Sequence, residues 1–325
     1  MSEPALLGAA FFVLLAPAGT MLIRWLQARG LAKRIRADGP ATHQAKAGTP
    51  TMGGLLFVGG ALIAGVGLLA FGHTQPLWPM LSLAAYAALG CYDDLRGLKD
   101  QQGIGWLARA KFPCQWGIAV ILALGMYLGG AARPFWLPFG MPALDLGIWF
   151  VPVAAFVMVG FVNAANLTDG LDGLAAGTGA FVVVCLAVVG AQDDAGGLTY
   201  WCMSLAGGLL AFLWHNAHPA RVFMGDVGAE ALGAALAAVA LVSGHALLLL
   251  VSGIAMVSEA VSDIVQVGYF KYTRRRYGEG RRVFRMAPLH HHFEALGMDE
   301  VQVTTRFWIA TAVASFLAVA VRGVH

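Results

Sequence analysis

Residues 146–191 read LGIWFVPVAAFVMVGFVNAANLTDGLDGLAAGTGAFVVVCLAVVGA, which is two apolar runs separated by a short polar segment. The runs, residues 146–165 and 173–191, each approach the length of about 20 residues that a helix needs to cross the hydrocarbon core of a bilayer. The whole chain is 58% hydrophobic and 12% charged, whereas about a quarter of the residues of soluble globular proteins are charged. The stretch therefore predicts two membrane-spanning helices joined by a polar turn.

Eight further apolar runs repeat this pattern along the 325 residues. They lie at about residues 5–27, 52–72, 76–92, 112–131, 198–214, 227–243, 245–267 and 304–321. The polar blocks between the runs are too short for a separate soluble domain, and the 42 glycines suit close approach of helices within a bundle. We therefore predict an all-α integral membrane protein, a single polytopic domain of residues 1–325 with about ten transmembrane helices.

The basic residues lie almost entirely on one side of this predicted bundle. Of 21 Lys and Arg, nineteen fall in or beside the odd-numbered connections between runs, and only Arg133 and Arg322 fall on the other side. Basic residues in short loops mark the cytoplasmic face of a membrane protein. We therefore predict that both termini lie outside and that five connections face the cytoplasm, at about residues 28–51, 93–111, 166–172, 215–226 and 268–303.

The first two inward connections carry residues suited to phosphate and metal chemistry. The first ends Lys46-Ala-Gly-Thr-Pro-Thr51-Met-Gly-Gly54, where glycine amides before a helix and the Lys46 charge favour a phosphate; an ordinary helix entry is the alternative. The second opens with the adjacent pair Asp93-Asp94 at the mouth of a run. Acids beside lipid are costly unless they face water or a cation, so the pair predicts Mg²⁺ binding or a general base. A solvated helix end is the alternative.

The third inward connection contains Asn163-Ala-Ala-Asn166-Leu-Thr-Asp169-Gly-Leu-Asp172-Gly-Leu. Asn166, Asp169 and Asp172 recur every three residues, which on a helix brings neighbours of the series together. Such a cluster can bind a metal ion or hydrogen-bond the hydroxyl and imide groups of a nucleoside. A capped turn between two helices is the alternative, since these residue types favour caps.

The fourth inward connection contains Trp214-His-Asn216-Ala-His-Pro-Ala-Arg-Val-Phe223-Met-Gly-Asp226-Val-Gly228. Asp226 lies where the next run starts, with glycines on both sides that leave room for a close ligand. Carboxylate oxygen is the ligand that Mg²⁺ prefers, so we predict that Asp226 binds Mg²⁺; the alternative is an N-cap. Phe223 either packs in the protein or stacks on a base.

The fifth inward connection is the longest and carries a basic stretch followed by three histidines. The run Arg274–Arg276 is expected to contact anionic lipids. His290, His291 and His292 cannot all face one ion, because helical neighbours are rotated by about 100° and strand neighbours alternate. We therefore predict that the histidines contact anionic substrate groups rather than zinc.

Three polar residues also lie inside the apolar run that precedes this connection. Glu259, Asp263 and Gln266 fall at positions i, i+4 and i+7, which is a single helical face. The two acids face either a water-filled cleft or the neighbouring helices.

Taken together, these motifs resemble the phospho-N-acetylmuramoyl-pentapeptide transferases, the bacterial lipid I synthases. The resemblance covers about residues 42–322, and its motifs occur in order as Lys46–Gly54, Asp93-Asp94, Asn166–Ala175, Phe223–Asp226 and Met286–Glu294. The histidine motif is the most specific of them.

The resemblance implies ten transmembrane helices, usually in a homodimer, with a cytoplasmic-side active-site cleft at the bacterial inner membrane. It implies that UDP-N-acetylmuramoyl-pentapeptide and undecaprenyl phosphate react to give lipid I and UMP in peptidoglycan synthesis, with Mg²⁺ as cofactor. A sister enzyme that transfers N-acetylglucosamine 1-phosphate is the alternative, which the histidine loop disfavours. A membrane transporter would carry polar groups near the bilayer midplane, whereas here they crowd one face. Membrane lipids are expected partners and nucleic acid is not.

The same resemblance implies roles for individual residues. Asp226 would bind Mg²⁺ on the diphosphate, and Asp93 would take a proton from the lipid phosphate with Asp94 positioning it or holding charge. The transfer is either direct, which we favour, or proceeds through a phosphorylated Asp. The residues implied to bind substrate are Lys46, Thr51, Asn166, Asp169, Asp172, Asn216, Phe223, Gln266, His290, His291 and His292. The chain departs from the family at Cys91-Tyr92, where a Phe is usual before the acids, and at Ala229-Glu230, where Ser-Leu is common. We interpret both as spacing residues.

Overall fold

A computed structural model describes residues 1–32, 48–100, 105–193 and 196–323. Within these residues the chain is α-helical, with two isolated β-bridges. The helices are α1 (Ser2–Ala28), α2 (Leu55–Ala70), α3 (Leu77–Lys99), α4 (Ala108–Leu128), α5 (Phe150–Thr168), α6 (Leu174–Gln192), α7 (Gly196–Asn216), α8 (Asp226–Val242), α9 (Ala246–Ser252), α10 (Ile254–Tyr277), α11 (Leu289–Ala295) and α12 (Glu300–Arg322).

Each predicted apolar run coincides with helix, and the run at 245–267 is divided between α9 and α10. These two helices meet at Gly253 with a bend of 82°. Among the described residues, six helices are long and apolar enough to cross a membrane, or seven if the bent pair forms one span. Large apolar side chains cover the exterior, among them Leu14, Ile121 and Phe316, each more than two-thirds exposed. The architecture is therefore that of an all-helical integral membrane protein, and ten spans remains a prediction.

Two helices extend into segments that the sequence predicted as loops. The acidic pair Asp93-Asp94 lies on the last turns of α3, which continues to Lys99, so it is not in a loop. Helix α10 continues to Tyr277 and ends at Gly278, which has a φ of 77°; the left-handed conformation that glycine adopts freely is a common helix stop. Hydropathy predicted these boundaries too early because charged residues end an apolar run before they end a helix.

Helix α8 forms the centre of the bundle. Every residue from Val227 to Leu241 is buried, and the helix packs against α2, α3, α5 and α6. Small residues make this enclosure possible. A side chain at Gly90 of α3 would meet the backbone carbonyl of Asp226, and one at Gly233 would meet the backbone of Phe161 in α5. The beginning of α8 is thereby held against the end of α3.

At the end of the bundle where α8 begins, called here the site end, two loops join through their backbones. Gly53 and Gly54 donate hydrogen bonds to the carbonyls of Phe223 and Met224 at 2.8 and 2.9 Å, and Phe223 donates to the carbonyl of Pro50 at 2.8 Å. The entry to α2 and the entry to α8 are therefore joined by three backbone hydrogen bonds beside the end of α3.

The opposite end of the bundle carries a separate polar group. Arg322 of α12 contacts Asp193 at 2.5 Å and donates from Nε to His245 Nε2 at 3.2 Å. The Arg322 guanidinium also lies 5.7 Å from the centre of the Trp136 ring. Trp136 belongs to a short hairpin, and its backbone N–H donates to the Gly244 carbonyl. These contacts tie the end of α12 to the α8–α9 junction.

Candidate active site

Three carboxylates from two helices converge on one ammonium group. Lys111 Nζ, on α4, lies 2.5 Å from Asp93 Oδ2, 2.6 Å from Asp226 Oδ2 and 2.6 Å from Glu230 Oε1. We call Asp93, Asp226 and Glu230 the carboxylate cluster. Buried charges are tolerated when they are paired, and here a single cation serves three acids.

The local sequence explains this convergence. Asp226 and Glu230 are four residues apart on α8, so both face the same direction. Asp93 follows Gly90 by one turn of α3, and the missing side chain at Gly90 lets α3 lie against the backbone of Asp226. Two acids of α8 and one of α3 are therefore within reach of the first turn of α4.

A shell of amides surrounds the carboxylate cluster. Asn166, on the last turn of α5, donates to Asp226 Oδ1 at 3.0 Å. Gln115 donates to Glu230 Oε1 at 3.1 Å, and Asn163 in turn donates to Gln115 Oε1 at 3.0 Å. The backbone N–H of Trp106 donates to Asp93 Oδ1. Because both oxygens of Asp93 have donors, its carboxylate is fixed in orientation.

The two adjacent acids of α3 have different roles. Asp94 Oδ2 accepts a hydrogen bond from the backbone N–H of Val227 at 3.0 Å, so Asp94 satisfies an otherwise unpaired amide at the start of α8. Gly225 precedes α8 and forms no side-chain cap. The alternative that Asp226 is only an N-cap is therefore wrong, since its carboxylate faces Lys111 and Asn166.

The carboxylate cluster has the composition of a divalent-cation site. One oxygen from each of its three acids lies within 4.8 Å of the others, and such hard oxygen ligands suit Mg²⁺. The Asp226 side chain is 26% exposed, whereas those of Asp93 and Glu230 are 6% and 0% exposed. Glu230 Oε2 has no hydrogen-bond partner among the described residues. The three carboxylates therefore offer ligands that suit a divalent cation, and Asp226 is the most accessible of them.

Asp172 lies in a different place from Asn166, although the sequence predicted one cluster. Helix α5 ends at Thr168, so Asp169 and Asp172 fall beyond it. Asp172 is buried and accepts from the backbone N–H of Ala220 at 3.0 Å, and His218 Nδ1 lies 3.1 Å away. The three-residue spacing was therefore misleading, because the helix on which it depends stops inside the motif.

Asn216 and Asp172 both hold loops together at the site end. Asn216 accepts from the backbone N–H of Gly173 at 3.0 Å and donates to the Val222 carbonyl at 2.9 Å. The backbone N–H of Asp172 donates to Glu300 at the start of α12 at 2.8 Å. Both predicted substrate residues are thus buried in contacts that fix the walls of the site.

The three histidines have different partners, although the rings of His290 and His291 are adjacent, with their centres 4.1 Å apart. His290 is buried on α11, and its backbone N–H donates to the Glu259 carboxylate while its Nδ1 lies 3.1 Å from Glu259 Oε2. His291 Nδ1 lies 2.7 Å from Glu294, and His292 Nδ1 accepts from the backbone N–H of Arg285. Glu259 therefore has its partner in α11, which answers whether it faces protein or an open cleft.

The His290 ring also approaches the third motif. It lies against Gly170, where any side chain would collide with the ring. No described residue hydrogen-bonds His290 Nε2. The histidine loop and the Asn166–Ala175 segment therefore face one another across the site end.

Gln266 makes three hydrogen bonds to the loop that precedes the histidines. Its Oε1 accepts from the backbone N–H groups of Val283 and Phe284, both at 3.0 Å, and its Nε2 donates to the Phe284 carbonyl at 3.1 Å. The side chain therefore shapes this loop.

The remaining predicted residues have varied positions. Thr51 is buried against Gly225, close to Asp94, and Phe223 and Asp169 are half-buried at the site end. Lys46 lies outside the described residues.

Sequence reasoning missed four residues of the site. Lys111, Gln115 and Asn163 were not selected, and Glu230 was interpreted as a spacing residue, whereas the structure places its carboxylate on Lys111. A usable signal existed, because Lys111 and Gln115, like Asp226 and Glu230, are polar pairs four residues apart inside or beside apolar runs.

Comparison with known proteins adds to this geometry. A family model described as glycosyl transferase family 4 matches residues 77–244, and a signature of phospho-N-acetylmuramoyl-pentapeptide-transferase matches residues 46–58. The chain is 42% identical to the phospho-N-acetylmuramoyl-pentapeptide-transferase of Chloroflexus aurantiacus, over 98% of this chain and 89% of that protein. It is 44% identical to that of Synechococcus sp. (strain CC9605), over 96% and 90% of the two chains.

Proposed function

Since the chain belongs to the phospho-N-acetylmuramoyl-pentapeptide transferase family, we propose that it transfers phospho-N-acetylmuramoyl-pentapeptide from UDP-N-acetylmuramoyl-pentapeptide to undecaprenyl phosphate. The products are lipid I and UMP, and Mg²⁺ is the cofactor. The observation that supports this proposal most directly is the carboxylate cluster around Lys111, at the one end of the bundle where the family motifs meet.

In the proposed reaction, an oxygen of the lipid phosphate attacks the sugar-linked phosphorus of the donor. The bond from that phosphorus to the UMP oxygen breaks as the new bond forms, and the proton of the lipid phosphate passes to Asp93. Asp93 suits this role because Lys111 and the Trp106 amide hold its carboxylate in place. Lys111 neutralises part of the charge that three acids would otherwise present to an anionic substrate.

Asp226 is the proposed metal ligand, since it is the most exposed member of the carboxylate cluster and lies at a helix start. Mg²⁺ bound there would stabilise the charge that develops on the departing UMP. Asn166, bound to the other oxygen of Asp226, keeps that carboxylate oriented and lies where it can contact a phosphate.

The remaining motif residues form the proposed donor pocket. Lys46, Thr51, Asp169, Phe223, His291 and His292 are proposed to contact the donor, whereas the contacts of Asp172, Asn216 and Gln266 indicate that they hold the pocket walls. His290 presents its ring toward Gly170 and completes the pocket.

The proposed location is the bacterial inner membrane, with ten spans, both termini outside and the site end facing the cytoplasm. The one-sided distribution of Lys and Arg supports this orientation, because basic residues in short loops mark the cytoplasmic face. A homodimer is proposed from the family resemblance.

The test uses purified full-length protein in detergent with undecaprenyl phosphate, Mg²⁺ and either UDP-N-acetylmuramoyl-pentapeptide or UDP-N-acetylglucosamine. We expect UMP release from the muramoyl-pentapeptide donor alone, and its loss on addition of EDTA. Release from the acetylglucosamine donor instead would assign the protein to the sister transferases. Release from neither donor by folded protein would refute the proposed reaction.

A further inference from the structure

Glu230 differs from the other two acids of the carboxylate cluster in its accessibility. It lies one turn into α8, its side chain is 0% exposed, and every neighbour on that helix is buried. Asp226 opens to the surface, and Asp93 reaches it slightly. A metal ion or substrate can therefore take Asp226 or Asp93 as a partner while Glu230 stays enclosed.

One oxygen of the Glu230 carboxylate is held by contacts from several helices. Gln115 donates to the same oxygen that faces Lys111, Asn163 holds the amide of Gln115, and Tyr86 donates to the Gln115 backbone carbonyl at 2.7 Å. Three helices besides α8 thereby hold this carboxylate in one position. Such support is typical of a group whose place matters to its neighbour.

The Lys111 ammonium would lose carboxylate partners when a cation binds and the proposed reaction takes place. A divalent cation at Asp226 would occupy one of its three partners and repel it, because like charges a few ångströms apart interact strongly in a partly buried site. Proton transfer to Asp93 would neutralise a second partner. Glu230 takes part in neither event, and a buried ammonium without a partner is strongly disfavoured.

We propose that Glu230 is a positioning residue for Lys111, the enclosed carboxylate that keeps the ammonium beside Asp93 when a divalent cation takes Asp226. The consequence of this role of Glu230 for turnover rests on the proposed function, but the effect of Glu230 on cation binding does not. Without Glu230, Lys111 holds Asp226 more tightly and competes with the metal ion for that carboxylate.

The test measures binding of Mn²⁺ alone, by electron paramagnetic resonance, to full-length protein in detergent. Glu230→Gln keeps the shape of the side chain and removes its charge, and Glu230→Leu also removes its hydrogen bond. We expect each to raise the Kd for Mn²⁺, by about tenfold for Glu230→Leu, within the range of couplings between contacting residues. A thermal unfolding curve establishes whether each variant is folded. We expect Glu230→Leu to fold, since an apolar side chain suits this enclosed position.

The Lys111→Met background decides whether Glu230 acts through Lys111. We expect Glu230→Leu to change the Kd by less than about twofold in that background, because the competing ammonium is gone. An equal shift in both backgrounds would mean that Glu230 acts on the cation directly and would overturn the proposal. An unchanged Kd for Mn²⁺ in folded Glu230→Gln, measured without any second substitution, would also overturn the proposal.

Turnover separates the two proposals. If no donor yields UMP, the proposed function fails while the Mn²⁺ affinities still decide the role of Glu230. If wild-type protein turns over, we expect Glu230→Gln to require more Mg²⁺ for half-maximal UMP release.

Discussion

Replacing Asp226 by Asn tests whether this carboxylate is the metal ligand. The amide has nearly the same size and still accepts from Asn166, whose Nδ2 lies 3.0 Å away, but it loses the charge that faces Lys111 at 2.6 Å. The fold should survive, since Lys111 retains Asp93 and Glu230. Loss of a metal ligand should remove about 3 kcal/mol of transition-state stabilisation, which is about a hundredfold in kcat/KM.

The assay is UMP release at saturating undecaprenyl phosphate, with a Mg²⁺ titration for each variant. The matched control is Asp145→Asn, since Asp145 is exposed and its carboxylate accepts only from the nearby Gly147 amide among the contacts described. We expect the control to behave as wild type. If folded Asp226→Asn keeps more than about a third of wild-type kcat/KM at the same Mg²⁺ requirement, less than about 1 kcal/mol has been lost and the metal-ligand role is refuted.

Four further substitutions test the packing of the bundle, the loop before the histidines and the polar group at the opposite end. Gly90→Ala places a methyl group against the backbone of α8, so we expect a lower Tm and slower UMP release, whereas Gly59→Ala, which meets open space on α2, should leave activity unchanged and the Tm equal or higher. Gln266→Ala removes three hydrogen bonds to the loop before the histidines; initial-rate kinetics should show a higher KM for the nucleotide donor with a smaller change in kcat, and a fall in kcat alone would contradict this. Burial lowers the pKa of His245, so the unfolded chain binds a proton that the folded chain excludes, and stability is lost as the pH falls below about 6.5. Thermal scans between about pH 8 and pH 5 should show this decline, and it should be shallower in His245→Asn.

Hydropathy predicted the helices well because membrane-spanning helices satisfy a simple length requirement. The same pattern placed Asp93, Asn166 and Asp226 at one end of the bundle, since each lies at the end of its run that was predicted to face inward. Sequence order and the alternation of helix directions were sufficient to predict that the polar residues crowd one face. In the structure these three side chains meet, directly or through Lys111.

The ion pairs within the site could not be predicted from local sequence patterns. Lys111 and Glu230 are 119 positions apart, and no periodicity links a cation on one helix to an acid on another. The bond depends on the absence of a side chain at Gly90, which fixes how closely α3 approaches α8. Asp172 shows the converse error, since a regular spacing predicted proximity to Asn166 although the helix ends at Thr168.

Helix α8 shows that a membrane protein can contain a segment that never meets lipid. It is not among the helices that qualify as membrane spans by length and composition, yet every residue from Val227 to Leu241 is enclosed by protein. Substitutions in α8 are therefore constrained by side-chain volume, as in the core of a soluble protein. A polar residue is tolerated at any position of the helix where a neighbouring group can pair with it. Position 230 shows this freedom, because the carboxylate of Glu230 is fully enclosed and has partners in Lys111 and Gln115.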